Sequence, residues 1–129
     1  MPDPSTFIYK LACSIATAEG FFVSNSLPSR MFNPGDLRGA PWLPKPNLVN
    51  GFIQFDSVAQ GVAGLVHQLA LDIARGQSIQ QLIYGYAPPS DGNNSENYLL
   101  ETCRRMGIDP GKDLDTPLQN FLTPLEIIP

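Results

Sequence analysis

The sequence predicts a mainly helical fold of the α+β class, with a small β-hairpin between the first and second helices. Three features support this prediction. Apolar residues recur every three or four positions in several segments, as they do on the buried face of a helix. Ser-x-x-Gln sequences mark helix starts, and glycines mark helix ends. One Asn-Gly pair separates two short apolar runs, which is a strong hairpin signal.

The first helix is predicted over residues 8–19 and is expected to end at Gly20. Its buried face is expected to comprise Ile8, Leu11, Ala12, Ile15 and Ala18. The solvated side is expected to carry Lys10, Ser14 and Thr17. Additional apolar cover is expected from the residues that follow the helix, Phe21, Phe22 and Val23.

Glu19 is the most informative residue of this helix. At about 100° per residue, its side chain projects within roughly 20° of Ile8 and Ala12, in the middle of the apolar stripe. A carboxyl group in such surroundings has its ionised form disfavoured, so its pKa is expected to rise. A raised pKa suits a general acid that works near neutral pH. The alternative is that the last turn frays and Glu19 simply reaches water.

The middle of the chain is predicted to contain loops and a hairpin. Five prolines within residues 24–50 exclude a long helix there. Asn50-Gly51 predicts a type I′ turn between the strand segments 48–49 and 52–55.

Three more helices are predicted after the hairpin. Ser57 with Gln60 opens a helix that runs to about Arg75, with a buried face of Val58, Val62, Leu65, Leu69 and Ile73. Ser78 with Gln81 opens the next, which ends before Pro88-Pro89. Asn93 with Glu96 is expected to cap the last helix, which ends near Gly107, and Thr116-Pro117 to start one further helical turn.

Length and composition predict one domain over residues 1–129, with a core at 5–109 and a proline-punctuated extension, 110–129, packed on it. A net charge of −4 without a basic stripe argues against nucleic-acid binding. We expect no membrane span and see no signal-peptide pattern at the start of this chain.

Cysteine and histidine chemistry is also disfavoured. The two cysteines, Cys13 and Cys103, lack metal-ligand spacing; they either pair across the terminal helices or, as we favour, are inert thiols. The single histidine, His67, falls opposite the apolar stripe of its helix and is expected to be exposed. That position disfavours Ser-His, Cys-His and most zinc chemistries.

Four segments in order resemble a known family. They are Ala18-Glu19-Gly20-Phe21, Asn33-Pro34-Gly35-Asp36-Leu37-Arg38, Gly51-Phe52-Ile53-Gln54-Phe55-Asp56-Ser57, and Tyr86-Ala87-Pro88-Pro89 followed by Asn93-Asn94-Ser95. Taken alone, each segment is typical of a turn, of a strand that ends in a helix cap, or of the end of a helix. Together, over roughly residues 11–109, they are similar to the small lysozyme-like lytic transglycosylase and muramidase domains of bacteria and tailed-phage virions. The resemblance implies the lysozyme-like fold, with a sugar-binding cleft between two lobes.

The resemblance also implies roles for individual residues. Glu19 matches the catalytic glutamate, and Tyr86 matches a tyrosine that lies near it and orients it. Three further groups are implied to bind substrate. Phe52, Gln54 and Phe55 match the strand segment that lines the cleft. Asn33 and Arg38 match positions that shape the loop beneath the cleft, and Asn94 and Tyr98 match the final segment. Two departures from the family pattern are Met31-Phe32, in place of polar residues, and Asp36, in place of the usual Asn. Asp36 is therefore a possible second carboxylate.

The function implied is cleavage of the β-1,4 bond between N-acetylmuramic acid and N-acetylglucosamine, with Glu19 as acid and then base, as in a lytic transglycosylase. No metal or other cofactor is expected. The expected partner is the glycan strand of peptidoglycan, the expected state a monomer, and the expected setting the periplasm, cell envelope or virion. Two alternatives stay open. One is a non-catalytic glycan-binding or virion structural protein; the other is a muramidase that hydrolyses the same bond, with Asp36 or Asp56 holding the water.

Overall fold

The structure is a computed structural model that describes residues 6–122 and residue 126. Five α-helices and two short strands follow one another in these residues. In chain order they are α1 (Phe7–Ala18), α2 (Leu27–Arg30), β1 (Leu48–Val49), β2 (Phe52–Ile53), α3 (Val58–Ala74), α4 (Ile79–Tyr86) and α5 (Ser95–Met106). Two 3₁₀ turns lie at Pro89–Asp91 and Leu118–Phe121. The predicted class, mainly helical with one small antiparallel sheet, is confirmed.

Helix α1 starts one residue before the predicted position and buries four of the five predicted residues, namely Ile8, Leu11, Ala12 and Ile15. The Thr6 side chain caps its first turn, and Gly20, with φ 79°, ends it. Because α1 packs against both α3 and α5, its buried surface is wider than one stripe and includes Ser14, which was expected in solvent. Ala18, expected to be buried, is exposed. Phe22 is 68% exposed, so the predicted apolar cover after the helix is largely wrong.

The hairpin forms with the predicted turn. Asn50 and Gly51 both have positive φ, at 52° and 85°, which is what a type I′ turn requires. The short helix α2, which was not predicted, separates α1 from the hairpin. It forms because Ser26 caps a turn whose first residues include Pro28, a residue that fits only the start of a helix. The hairpin therefore lies between α2 and α3.

Helix α3 passes very close to the chain that follows α2. A Cβ atom on Gly61 would lie 1.8 Å from the Phe32 carbonyl oxygen, and one on Gly64 would lie 2.8 Å from the Phe55 ring. The two glycines are buried with Leu65 on this face. Val58, expected in the buried face, is 46% exposed, because the first turn of the helix lies beyond this contact.

The predicted capping residues of α4 are confirmed, and the N-cap of α5 lies one residue after the predicted position. Ser78 and Gln81 form a full capping box at α4. The N-cap of α5 is Asn94, not the predicted Asn93, whose side chain donates to the Pro88 carbonyl instead. Gly107 ends α5 with φ 69°.

The chain beyond residue 110 contributes to the core. The predicted turn after Pro117 is confirmed as the 3₁₀ turn that carries Leu118, which is fully buried. Farther on, the Glu126 carboxylate accepts a hydrogen bond from the Ile8 backbone N–H at 2.9 Å. Residues 123–125 and 127–129 of the predicted extension, and residues 1–5, lie outside the described residues.

Two apolar clusters form the interior. The larger lies among α1, α3, α4 and α5 and includes Leu11, Ile15, Leu69 and Ile83. The smaller lies beneath the hairpin and consists of Leu37, Ile53 and Phe55. Tyr86, at the end of α4, packs against both clusters and so joins the helical part to the hairpin part. Among the described residues, no helix is long and apolar enough to cross a membrane.

Candidate functional site

Glu19 occupies the C-terminal cap of α1, where its backbone and side chain are both fixed. Its backbone N–H donates to the Ile15 carbonyl at 2.9 Å. Its Oε2 atom accepts a hydrogen bond from the Tyr98 hydroxyl at 2.7 Å. The side chain is partly buried, which contradicts a frayed last turn with the carboxyl free in water.

Three influences set the protonation of this carboxyl. Burial raises the pKa of Glu19 above its ordinary value because it disfavours the charged form. The hydrogen bond from Tyr98 lowers that pKa, and the negative charge of Asp36 raises it. The net direction of the pKa is upward, as the sequence predicted, which favours the protonated form that a general acid needs.

Asp36 lies close enough to Glu19 for its charge to act there. It takes a left-handed conformation, with φ 51°, in the loop that follows α2. Burial raises the pKa of Asp36, while the Arg38 guanidinium lowers it. Asp36 thus supplies a second carboxyl group whose charge acts on the first.

Asn33 shapes this loop from within. It is fully buried. Its Nδ2 donates to the carbonyls of Leu37 and Ile53, each at 2.9 Å, and its Oδ1 accepts from the Leu37 N–H at 2.9 Å. With no exposed surface, Asn33 cannot touch a substrate directly. Direct substrate binding by Asn33 is therefore corrected, whereas the loop-shaping role that the resemblance implies fits these hydrogen bonds: Asn33 positions the loop that carries Asp36.

Tyr86 does not make the predicted contact with Glu19. Its hydroxyl donates a hydrogen bond to the Gly35 carbonyl oxygen instead. Burial raises its pKa well above the ordinary value, and the charges of Glu19, Asp36 and Asp72 add to this effect. Tyr86 is therefore a neutral phenol near the carboxylates. The tyrosine that contacts Glu19 is Tyr98, which was expected to bind substrate.

The hairpin residues divide between surface and interior. Arg38 is exposed and stands over the Phe52 ring, with its Cζ 5.0 Å from the ring centre. Gln54 is partly buried, and its Oε1 accepts a weak bond from Asn47 at 3.4 Å. Phe55 is only 8% exposed and packs against Gly64, so it belongs to the core.

Asn94 has a local role in the structure. Its Oδ1 accepts a hydrogen bond from the Asn97 N–H at 3.1 Å, which caps the start of α5. The side chain is exposed, so the predicted substrate contact remains a prediction. The cap also sets the first turn of the helix that carries Tyr98.

Asp36 and Tyr86 both line an open cleft of about 480 Å³. Its polar lining includes Asp36, Arg38, Gln68, Asp72, Gln77 and Asp91. Glu19 does not line this cleft. Asp36 does line it, and the negative charge of Asp36 acts on the Glu19 carboxyl. Sequence reasoning missed Gln68 and Asp72. Their spacing of four residues on one helix was the available signal, but it is also typical of an ordinary solvated face.

The cysteines and the histidine stand apart from this arrangement. Cys13 and Cys103 are free thiols, and burial raises the pKa of Cys103. His67 is exposed, as predicted, and its ring lies 4.6 Å from that of Trp42. Within residues 6–122 and residue 126, no three His, Cys, Asp or Glu side chains are grouped so that they could hold a metal ion.

Comparison of the chain with models of known protein families, with curated proteins and with solved structures found no match. The chemistry of the site is therefore argued from its own residues. They bring together a half-buried acid, a neutral tyrosine that positions it, and a second carboxyl group at the edge of an open polar cleft.

Proposed function

We propose that this protein is a lytic transglycosylase that cleaves the β-1,4 bond between N-acetylmuramic acid and N-acetylglucosamine in peptidoglycan. The observation that carries the proposal is the Glu19 carboxyl: it is partly buried, its pKa is raised, and Tyr98 fixes its Oε2 atom. A glycosidic oxygen is a poor leaving group until it is protonated, and a carboxyl group in this state supplies the proton.

The substrate is proposed from the order of the four segments that resemble lysozyme-like domains. The open cleft supports it, since its wall offers carboxylates, amides and a guanidinium to a hydroxyl-rich ligand. The setting that follows is the periplasm, the cell envelope or a virion, where the chain acts as a monomer on glycan strands.

The proposed mechanism uses Glu19 twice. First, its proton passes to the glycosidic oxygen; the bond from C1 of N-acetylmuramic acid to that oxygen breaks, and an oxocarbenium-like state develops. The N-acetylglucosamine alcohol leaves. The Glu19 carboxylate then takes the proton of the C6 hydroxyl of the same muramic acid, and that oxygen bonds to C1. The product is a 1,6-anhydro ring, formed without water, and Glu19 is protonated again.

A hydrolase is the second candidate, and one observation favours it: the charge of Asp36 acts on Glu19. An inverting hydrolase needs a second carboxylate about 6.5–9.5 Å from the acid to activate water, and a retaining one needs it at about 5–5.5 Å as nucleophile. Asp36 is the candidate for such a role, because it is the carboxylate whose charge acts on Glu19. We prefer the transglycosylase because the segments that resemble lysozyme-like domains supply one firm carboxylate, Glu19. Asp36 is the single residue able to overturn this preference, because it stands where those domains usually have Asn.

Mass spectrometry of muropeptides released from purified peptidoglycan tests the proposal. We expect 1,6-anhydromuropeptides from the wild type and none from Glu19→Gln, which keeps the shape of the side chain but cannot donate the proton. Fragments with reducing ends would indicate the hydrolase. Binding to peptidoglycan without release of any fragment would indicate the non-catalytic glycan-binding protein and would refute both enzymes.

A further inference from the structure

A chain of three hydrogen-bonded side chains includes two residues of the cleft wall, Gln68 and Asp72, and Trp42 behind them. The Trp42 Nε1–H donates to Gln68 Oε1 at 2.8 Å. Gln68 Nε2 in turn donates to Asp72 Oδ1 at 3.2 Å. Gln68 and Asp72 both line the cleft, one turn apart on α3, and Trp42 contacts Gln68 from the loop before the hairpin. None of these residues belongs to the segments that resemble the lysozyme-like domains.

This arrangement fixes one carboxylate oxygen and leaves the other available. Asp72 Oδ1 accepts from Gln68 and also from Arg75 Nη1, at 3.2 Å. Asp72 Oδ2 accepts no hydrogen bond from the residues that the structure describes, although the side chain is only 13% exposed. The bond from Gln68 is partly buried and the bond from Arg75 is exposed, so Gln68 is the donor that orients Asp72. An acceptor that is oriented in advance costs little entropy when a ligand binds to it.

We propose that Asp72, oriented by Gln68 and Trp42, determines specificity in a saccharide subsite of the cleft, next to the sugar that reacts at Glu19. The ligand is a hexopyranose unit of the glycan strand. Asp72 Oδ2 accepts a hydrogen bond from one of its hydroxyl or acetamido N–H donors, and the free lone pair and N–H of the Gln68 amide add adjacent polar contacts. The identity of the glycan strand rests on the proposed function, whereas the test of this subsite does not depend on that function.

Sugar hydroxyls need fixed acceptors, because a side chain that turns freely cannot distinguish one hydroxyl from another. The Asp72 carboxylate meets that need: it projects from a rigid helix and is fixed on one oxygen. Asp72 also lines the cleft together with Asp36, whose charge acts on the Glu19 carboxyl. A strand that reaches Glu19 and continues along the cleft passes this wall.

The test measures sugar binding in Glu19→Gln protein, so that no turnover occurs. The probe is the N-acetylglucosamine hexasaccharide, titrated by calorimetry and by fluorescence of Trp42, the single tryptophan of the chain. We expect the Trp42 emission to change with the same dissociation constant that calorimetry gives. Asp72→Asn in this background should weaken binding about tenfold, the size expected when a hydrogen bond to a charged group is lost.

Two control variants distinguish a sugar contact made by Asp72 from a general effect of lost charge and from a change in the structure around Asp72. Asp115→Asn removes the same charge from an exposed residue outside the cleft and should leave the affinity unchanged. Arg75→Gln breaks the Arg75–Asp72 ion pair from its solvent side, where Arg75 is 62% exposed, and should also retain the affinity. If Arg75→Gln reproduces the loss seen with Asp72→Asn, the role of Asp72 is structural and the proposal is overturned.

The remaining outcomes also decide the matter. No binding of the hexasaccharide, binding that leaves Trp42 emission unchanged, or full affinity in Asp72→Asn would each overturn the subsite. Because the measurement does not require catalysis, it is independent of the muropeptide assay. Wild-type protein that cleaves peptidoglycan while Asp72→Asn keeps its affinity refutes the subsite alone. Protein that binds the sugar through Asp72 but releases no fragment refutes the enzyme alone.

Discussion

The Tyr98 hydroxyl donates a hydrogen bond to Glu19 Oε2 across 2.7 Å, and so joins the start of α5 to the end of α1. This contact opposes the other two influences on the carboxyl, burial and the charge of Asp36, because it stabilises the ionised form. Each influence comes from a different part of the chain. Each can therefore be removed separately, and the direction of the change in the pKa of Glu19 is defined in every case.

We expect Tyr98→Phe to lower kcat about tenfold while KM changes little, because the lost hydrogen bond positions the acid without binding substrate. The pKa of Glu19 should rise when this bond is removed. Glu19 must be protonated to act, so the fall of kcat at high pH should move to higher pH. Rates of muropeptide release measured across pH check both effects.

Tyr86→Phe is the matched variant, since it deletes the same atom from a tyrosine that contacts Gly35. We expect it to lower the free energy of unfolding by about 1–2 kcal/mol, as a buried carbonyl loses its donor. The pH at which kcat falls should not move. If Tyr86→Phe moves that pH and Tyr98→Phe does not, the positioning role belongs to Tyr86.

Asp36→Asn should lower the pKa of Glu19, because it removes a neighbouring negative charge. The fall of kcat at high pH should then move to lower pH, opposite to the effect of Tyr98→Phe. The product should remain the 1,6-anhydromuropeptide. A rate loss of a hundredfold or more across all pH, from an enzyme whose products have reducing ends, would instead give Asp36 the second catalytic role.

Local signals explain why much of the fold could be predicted. A helix start or a tight turn depends on a few adjacent residues, such as Ser78 with Gln81 at α4 and Asn50 with Gly51 in the hairpin. The end of α1 at Gly20 follows from the same kind of chemistry.

Contacts between distant parts of the chain could not be predicted in the same way. Ser14 is buried because α1 packs against two helices, and one-face periodicity cannot show a second partner. The raised pKa of Glu19 was predictable from its apolar neighbours. The bond from Tyr98 was not, since it depends on how α5 packs against α1. The resemblance assigned the orienting role to Tyr86, and only the packing shows that the hydrogen bond to Glu19 comes from Tyr98.

Glu19→Gln should become more stable relative to the wild type as pH rises. A carboxyl group whose pKa is raised by folding contributes stability that is fully present below its unfolded pKa and is lost as pH rises through the folded pKa. The amide of the variant does not ionise, so it loses no stability as pH rises. Chemical denaturation at pH values from about 4 to about 8 measures the difference.

Glu101→Gln is the control for that series, because the ion pair with Arg104 lowers the pKa of Glu101. Its stabilising contribution is present above the unfolded pKa and is lost as pH falls through the folded pKa. Relative to the wild type, Glu101→Gln should therefore become less stable as pH rises, which is opposite to Glu19→Gln. A Glu19→Gln difference that is flat with pH would show that Glu19 is ordinarily solvated.

Asn33→Ala should lower the free energy of unfolding by about 3 kcal/mol. It removes three hydrogen bonds in a fully buried site and leaves the carbonyls of Leu37 and Ile53 without this donor. Urea denaturation measures the loss. Asn94→Ala, which removes an exposed helix cap, should cost only about 1 kcal/mol. Equal losses in the two variants would contradict the structural role given to Asn33.

Gly61→Ala should destabilise the protein by about 3 kcal/mol, although alanine favours a helix over glycine by about 1 kcal/mol. The added Cβ would lie 1.8 Å from the Phe32 carbonyl oxygen, a backbone atom, so α3 must move away from the loop that carries Asp36. Gly85→Ala is the control, since a Cβ there meets nothing within 4 Å; it should stabilise α4 by about 0.5–1 kcal/mol. The midpoints of urea denaturation of the two variants should therefore shift in opposite directions. A Gly61→Ala protein as stable as Gly85→Ala would show that α3 and this loop are not in contact.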